Sequence, residues 1–316
     1  MNVLVLVLFL FGSGFHQTHC QRLQRGFYSS SCPDAESIVS QVVKEGTDSD
    51  PTLPAALLRL HFHDCFVDGC DGSILIDTSS SNDERHASAH QGVRGFDIVE
   101  TAKSRLEDAC PGVVSCADIV ALMARDSVSI SRGPKYEVLT GRRDGLVSNS
   151  DDASEMPSVD DSVETLTDKF KKKGLSQRDL VLLTGAHTIG KAACFFITDR
   201  LYESNAPDLR IVPHFVPELM SMCPKNGVNS VKVSMDRGSD RRFDSQFYAN
   251  VRGGFGIIKS DAALYGDSNT AEMVENYADN EDSFRNDFVG SILRMGNAGV
   301  NTGNSGEIRT TCSSFN

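Results

Sequence analysis

The stretch RLHFHDCFVDGCDGS, Arg59 to Ser73, decides how the rest of the chain is read, because it runs from a helix straight into a tight acidic loop. Upstream, Asp50 is the predicted N-cap and Pro51 the first helical residue of a helix that continues through PTLPAALLRLHFHDCF. Arg59 and His63 are four residues apart, so both side chains lie on one face, about one turn from each other. A permanent cation and a proton acceptor then share one surface. His61 sits roughly 200° round the helix from Arg59 and cannot join them. Spacing alone also allows Arg59 and His63 to sit in separate structural hydrogen bonds. The loop that follows crowds Asp64, Asp68, Asp71 and the Ser73 hydroxyl into ten residues, with Gly69 and Gly72 for tight turns. Hard oxygen ligands suit calcium, although the spacing is not that of an EF-hand and a solvated acidic turn has the same composition.

A second helix is predicted from Ser176, with Asp179 as its capping-box partner, through Leu180, Leu183, Thr184 and His187 to Gly190. Its apolar stripe ends at the histidine. A lone histidine of this kind is usually a satisfied core residue. Here Gly185 and Ala186 precede it and would let a bulky planar group approach. An axial haem ligand needs a neutral imidazole on one side and space on the other, and the two helices together supply both.

The remainder is an ordinary globular chain of 316 residues, 40% hydrophobic, without repeats or low-complexity tracts. Further helices are predicted over residues 34–46, 96–108, 116–129, 162–173 and 270–295, the last broken near Asp279, so the fold class is mainly α. Residues 1–20 carry no charged side chain and their apolar run is too short to span a bilayer, which predicts a signal peptide and a mature domain over residues 21–316. Removing Cys20 leaves eight cysteines with no CxxC pair, so four disulfides are expected, with ~105 pairings open. A net charge of −12 argues against nucleic acid and acidic membranes as partners, and the basic run Lys171 to Lys173 reads as a solvated helix end. There is no Asn-x-Ser/Thr acceptor for N-glycosylation.

RLHFHDCFVDGCDGS followed by LLTGAHTIG resembles the plant secretory (class III) haem peroxidases, and the resemblance covers essentially the whole mature chain. FYSSSCP, RGF at Arg94, ACPGVVSCADI, GRRDG at Gly141, RRFD at Arg241 and SDAALY at Ser260 follow in the family's order. The resemblance implies about ten helices in a distal and a proximal lobe around b-type haem. It implies His63 as distal acid–base, Arg59 as its electrostatic partner, His187 as the iron ligand and Asp261 as acceptor of the other N–H of His187. Asp64, Val67, Gly69, Asp71 and Ser73 would hold a distal calcium. Thr188, Asp236, Ser239 and Asp244 would hold a proximal one, with Ser239 where threonine is common. Pro157 matches the residue that contacts aromatic donors. The implied bridges are Cys32 with Cys110, Cys65 with Cys70, Cys116 with Cys312 and Cys194 with Cys223. The implied activity is reduction of hydrogen peroxide with one-electron oxidation of small phenols, by a secreted monomer of the cell wall or vacuole.

One departure stands out. His90 occupies the place where the family usually has the Asn that accepts the distal histidine's N–H, in a segment about one residue short. Tyr136 replaces a common Trp, and the chain has no Trp at all. Rival readings are a non-catalytic haem- or calcium-binding protein, a zinc hydrolase using His61 and His63, and an intracellular peroxidase. The intact Arg59, His63, His187 and Asp261, the lack of a third zinc ligand, and the leader with its eight cysteines weigh against them in turn.

Overall fold

The computed structural model describes residues 22–80, 82–202, 210–227 and 231–316; the predicted signal peptide lies outside them. Twelve α-helices form among the described residues: α1 (Ala35–Ser49), α2 (Leu53–Phe66), α3 (Phe96–Ala109), α4 (Cys116–Ile130), α5 (Val163–Lys172), α6 (Gln177–Thr184), α7 (Thr198–Tyr202), α8 (Val216–Met222), α9 (Gln246–Arg252), α10 (Lys259–Gly266), α11 (Ser268–Asp279) and α12 (Glu281–Gly296). Two three-residue strands, β1 (Lys191–Ala193) and β2 (Lys232–Ser234), pair antiparallel with Ala192 opposite Val233. No helix among the described residues is long and apolar enough to cross a membrane.

Burying apolar faces on two sides of one helix pair creates two lobes. On α2, Leu53, Leu57 and Leu60 pack with α1, α3 and α4, whereas Leu58, Cys65 and Phe66 pack with α5, α6, α9, α11 and α12. The α4 helix divides in the same way, Val120 and Met123 facing one core and Ala124 and Val128 the other. A third small core gathers β1, β2, α7 and α8. The face of α2 bearing Arg59 and His63 is therefore set at the junction of the two large lobes.

Two expected helix boundaries need correction. Asp50 does not cap α2: its Oδ1 accepts from the Thr52 backbone N–H at 2.8 Å and hydroxyl at 2.6 Å, and its other oxygen from Arg94, so an Asx turn precedes a helix that starts at Leu53. The α6 helix stops at Thr184, and Gly185–Thr188 form a 3-10 turn. A Cβ on Gly185 would lie 2.3 Å from the Tyr248 hydroxyl and 2.7 Å from Phe284, so this glycine admits core aromatics rather than a planar ligand.

The capping box at Ser176 is present. Asp179 Oδ2 accepts from the Ser176 N–H at 2.8 Å, while Oδ1 accepts from Ser291 at 2.7 Å and Arg294 Nε at 2.9 Å, tying α6 to α12. Burial opposes ionisation, but these donors outweigh it and hold the Asp179 carboxyl down at about 2. A depressed folded-state value stabilises above the unfolded carboxylate range and is lost as pH falls through about 2. Asp179→Asn is therefore expected to lower stability by about 2 kcal/mol at neutral pH. Urea unfolding should show that gap closing on acidification below the carboxylate range; a pH-independent gap would contradict the assignment.

The four disulfides pair as implied. Cys32–Cys110, Cys65–Cys70, Cys116–Cys312 and Cys194–Cys223 have Cα separations of 5.7, 3.9, 5.6 and 5.3 Å. Cys116–Cys312 ties the start of α4 to the C-terminal segment across 196 positions, the longest loop of the four and so the largest restriction of the unfolded chain.

Candidate active site

Helical spacing places Arg59 and His63 on one face of α2, and packing then decides their states. His63 is buried, and burial, the Arg59 charge and His90 together hold its imidazole well below the ordinary value. It is neutral at neutral pH. Arg59 donates to the Gln91 carbonyl at 3.2 Å; burial lowers its guanidinium to about 10, which leaves it charged. His61 turns away as expected, buried beside Cys65 Sγ at 3.4 Å, and burial with the Arg142 charge keeps it neutral, down at about 3.

His90 reaches His63. Their Nδ1 atoms are 2.7 Å apart, so one carries the proton and the other accepts it. Glu84 Oε1 stands 3.5 Å from His90 Nε2, both groups fully enclosed. A carboxylate there favours the His90 tautomer with its proton on Nε2. The bare His90 Nδ1 then accepts from His63 Nδ1–H, which leaves the lone pair of His63 on Nε2. Glu84 was not singled out as a site residue, because its 3-10 turn, Glu84–His86, and that of His90, Ser88–His90, have no periodicity from which to read a shared face.

Across the lobe junction, His187 Nδ1 lies 3.1 Å from both oxygens of buried Asp261, on α10. Burial alone would lower this imidazole, but the Asp261 carboxylate overrides it and raises it above the ordinary value. The side chain is 40% exposed, so part of the imidazole is open. The Arg59 charge is felt at His187, so the two groups are near each other. With Nδ1 held by Asp261, Nε2 is free to ligate a metal. Pro157, half-buried, follows the 3-10 helix Ser150–Glu155 and precedes α5.

Two oxygen clusters adjoin these histidines, Asp64 following His63 and Thr188 following His187. At the end of α2 and in the loop after it, both carboxylate oxygens of Asp64 and the Ser73 hydroxyl are buried without a hydrogen-bond partner, and Asp71 lies beside them, accepting from the Ser73 N–H at 3.0 Å. An unpartnered buried carboxylate is costly, and burial with Asp71 and Glu84 pushes Asp64 well above the carboxylate range. These donors fit a hard cation. Gly69 adopts φ +98°, and a Cβ on it would sit 2.2 Å from the Gly299 carbonyl oxygen. The Val67 carbonyl accepts from Lys173, and Asp68 is exposed beside it.

The second cluster brings together Thr188, Asp236, Ser239 and Asp244. Thr188 Oγ1 is 2.7 Å from Asp236 and 3.3 Å from Asp244, and the Ser239 hydroxyl is 3.1 Å from each. Burial and neighbouring Asp244 push the Asp236 carboxyl up to about 7. Asn250, not anticipated from sequence, donates to Asp236 Oδ1 at 2.5 Å.

Comparison with known proteins bears on the family to which the chain belongs. The family model described as Peroxidase matches residues 39–280. Peroxidase 43 of Arabidopsis thaliana is 54% identical, covering 93% of this chain and 92% of the relative. Peroxidase 13 of the same plant is 49% identical over 99% of this chain and all of the relative, and Peroxidase N1 of Nicotiana tabacum 48% over 92% and 90%. With most of its length matched and a mainly helical, four-disulfide fold in place, the chain belongs to the peroxidase family and is a class III haem peroxidase of the plant type.

Proposed function

We propose that b-type haem fills the space between the lobes, ligated through His187 Nε2, and that Arg59 and His63 on the opposite side activate hydrogen peroxide. One observation carries the reading. Two histidines, one of them beside Arg59 and the other within reach of its charge, each have Nδ1 engaged by a buried partner, His90 for one and Asp261 for the other, so both offer Nε2. Haem would supply the two electrons that cleave the peroxide O–O bond and recover them one at a time from the donor.

His63 Nε2 would take the proton from one peroxide oxygen and return it to the other, the departing one, so that water leaves. Its neutral state leaves it able to accept in the first half of that task, and its low proton affinity makes it a strong acid in the second. Arg59 stabilises the negative charge that develops on the departing oxygen. Asp261, accepting from His187, would make the imidazole a stronger electron donor to a bound iron, which would favour bond cleavage. Small phenols would donate near Pro157 at the rim of the space. Calcium would brace the Asp64–Asp71–Ser73 and Thr188–Asp236–Ser239–Asp244 clusters. Residues 1–20 would direct secretion, to the wall or vacuole, of a monomer.

Titrating the haem-reconstituted ferric protein with hydrogen peroxide tests the core of this. One equivalent should change the Soret band, and a phenol such as guaiacol should restore it in two one-electron steps. A haem spectrum indifferent to peroxide would favour a non-catalytic binding protein instead.

A further inference from the structure

From His187 a line of aromatic rings leads away from the site into the proximal lobe. Phe247 stands edge-on to the imidazole with 6.1 Å between centroids, Tyr248 edge-on to Phe247 at 5.2 Å, and Tyr277 tilted against Tyr248 at 5.3 Å. Steps of this length allow electron tunnelling between rings. The two tyrosines differ in what receives their proton. Tyr248 is sealed in the core and donates to the Val181 carbonyl at 3.0 Å, a group that cannot keep a proton. Tyr277 donates to Asp287 Oδ2 at 3.1 Å, a carboxylate that can, while Arg178 Nε donates to the same hydroxyl at 3.2 Å.

We propose that Tyr277 is an internal one-electron donor to the oxidised site when no external reductant is present, with Tyr248 as the relay. The inference rests on haem being held by His187. One electron leaves the Tyr277 ring and reduces the site by one equivalent, and the phenolic O–H bond breaks. The proton passes to Asp287 Oδ2, so the products are a neutral phenoxyl radical and a carboxylic acid. Hydrogen peroxide, through the established activity, supplies the oxidant. A phenol radical cation is a far stronger acid than any carboxyl group, so the Arg178 contact to Asp287 does not prevent the transfer. Tyr248 has no acceptor for its proton and passes the vacancy on. An equivalent left without a donor thereby moves off the haem and its immediate ligands, where it would otherwise attack them.

Two other tyrosines separate the requirements. Tyr28 has a carboxylate acceptor as well, Asp118 Oδ2 at 2.7 Å, but the ring contact of its own, with Phe27, leads nowhere near His187. Tyr265 donates to Glu275 at the surface and has no stacked neighbour among the described residues. An acceptor without the ring line is not enough on this account.

The holoenzyme, mixed with one equivalent of hydrogen peroxide and no donor, is freeze-quenched and read by electron paramagnetic resonance while the Soret band is followed in parallel. A tyrosyl signal, narrowed by ring-deuterated tyrosine, is expected in the wild type and in Tyr28→Phe and Tyr265→Phe. It is expected to be lost in Tyr277→Phe, diminished in Asp287→Asn and slower to appear in Tyr248→Phe. A wild-type signal in Tyr277→Phe, or a normal Soret response with no tyrosyl signal in the wild type, overturns the proposal alone. An absent Soret response overturns the haem reading and the proposal with it.

Discussion

Replacing His63 by Leu is expected to slow the reaction with hydrogen peroxide by about 10²- to 10⁴-fold, the usual worth of a positioned acid–base group. The substitution removes the only neutral imidazole on the Arg59 face of α2, since His61 is buried against Cys65 and Gly296 on the other side. Stopped-flow measurement of the first oxidation step reads this directly, and an Arg59→Lys variant should fall between, because it keeps the charge but not the fork of donors. The same measurement tests the support behind His63. His90→Ala leaves His63 Nδ1–H without its 2.7 Å partner and should slow the step, whereas His90→Asn restores an acceptor and should recover most of it at neutral pH. A His90→Asn rate no higher than that of His90→Ala would remove His90 from the proton path.

The sequence is most legible where regular structure carries the site. Arg59 and His63 share a face because a helix has 3.6 residues per turn, and α2 keeps that period through both. The Ser176–Asp179 box announces α6, and the helix break expected near Asp279 falls at Asn280, whose side chain caps the next helix by accepting from the Ser283 N–H. Legibility fails where the chain leaves such periods. Glu84, His90 and Asn250 act through three-dimensional neighbours that no spacing records, and Gly185 serves Tyr248 and Phe284, residues some sixty and a hundred positions away. The ion clusters are intermediate. Residue types gave the oxygen donors, but only packing shows that Asp64 and Ser73 lack partners, whereas Asp68 is exposed and Val67 accepts from Lys173.

That difference in partnering makes the loop after α2 the place where ion removal should have its largest effect. Without a cation, the Asp64 carboxylate is a buried charge facing Asp71 and Glu84, and leaving such a charge uncompensated costs about 3–5 kcal/mol. At roughly 2–4 °C per kcal/mol for a chain of this size, exhaustive chelation should lower Tm on the order of 10 °C. Because burial raises the folded-state pKa of Asp64 above its unfolded value, the ion-free protein is most stable in acid and loses stability as pH rises above the ordinary carboxylate range. The gap in Tm between calcium-loaded and chelated protein should therefore widen from acid to neutral pH. Asp64→Ala removes the orphan charge along with the ligand, so this variant should start lower than the calcium-loaded wild type and fall less on chelation. Asp64 adjoins His63 at the end of α2, so chelation should also slow peroxide reduction in the wild type, through movement of the helix end that aims the imidazole. Purified protein that contains no calcium, with Tm and peroxide kinetics indifferent to chelator, would show that the buried carboxylate is neutralised by a proton rather than by an ion.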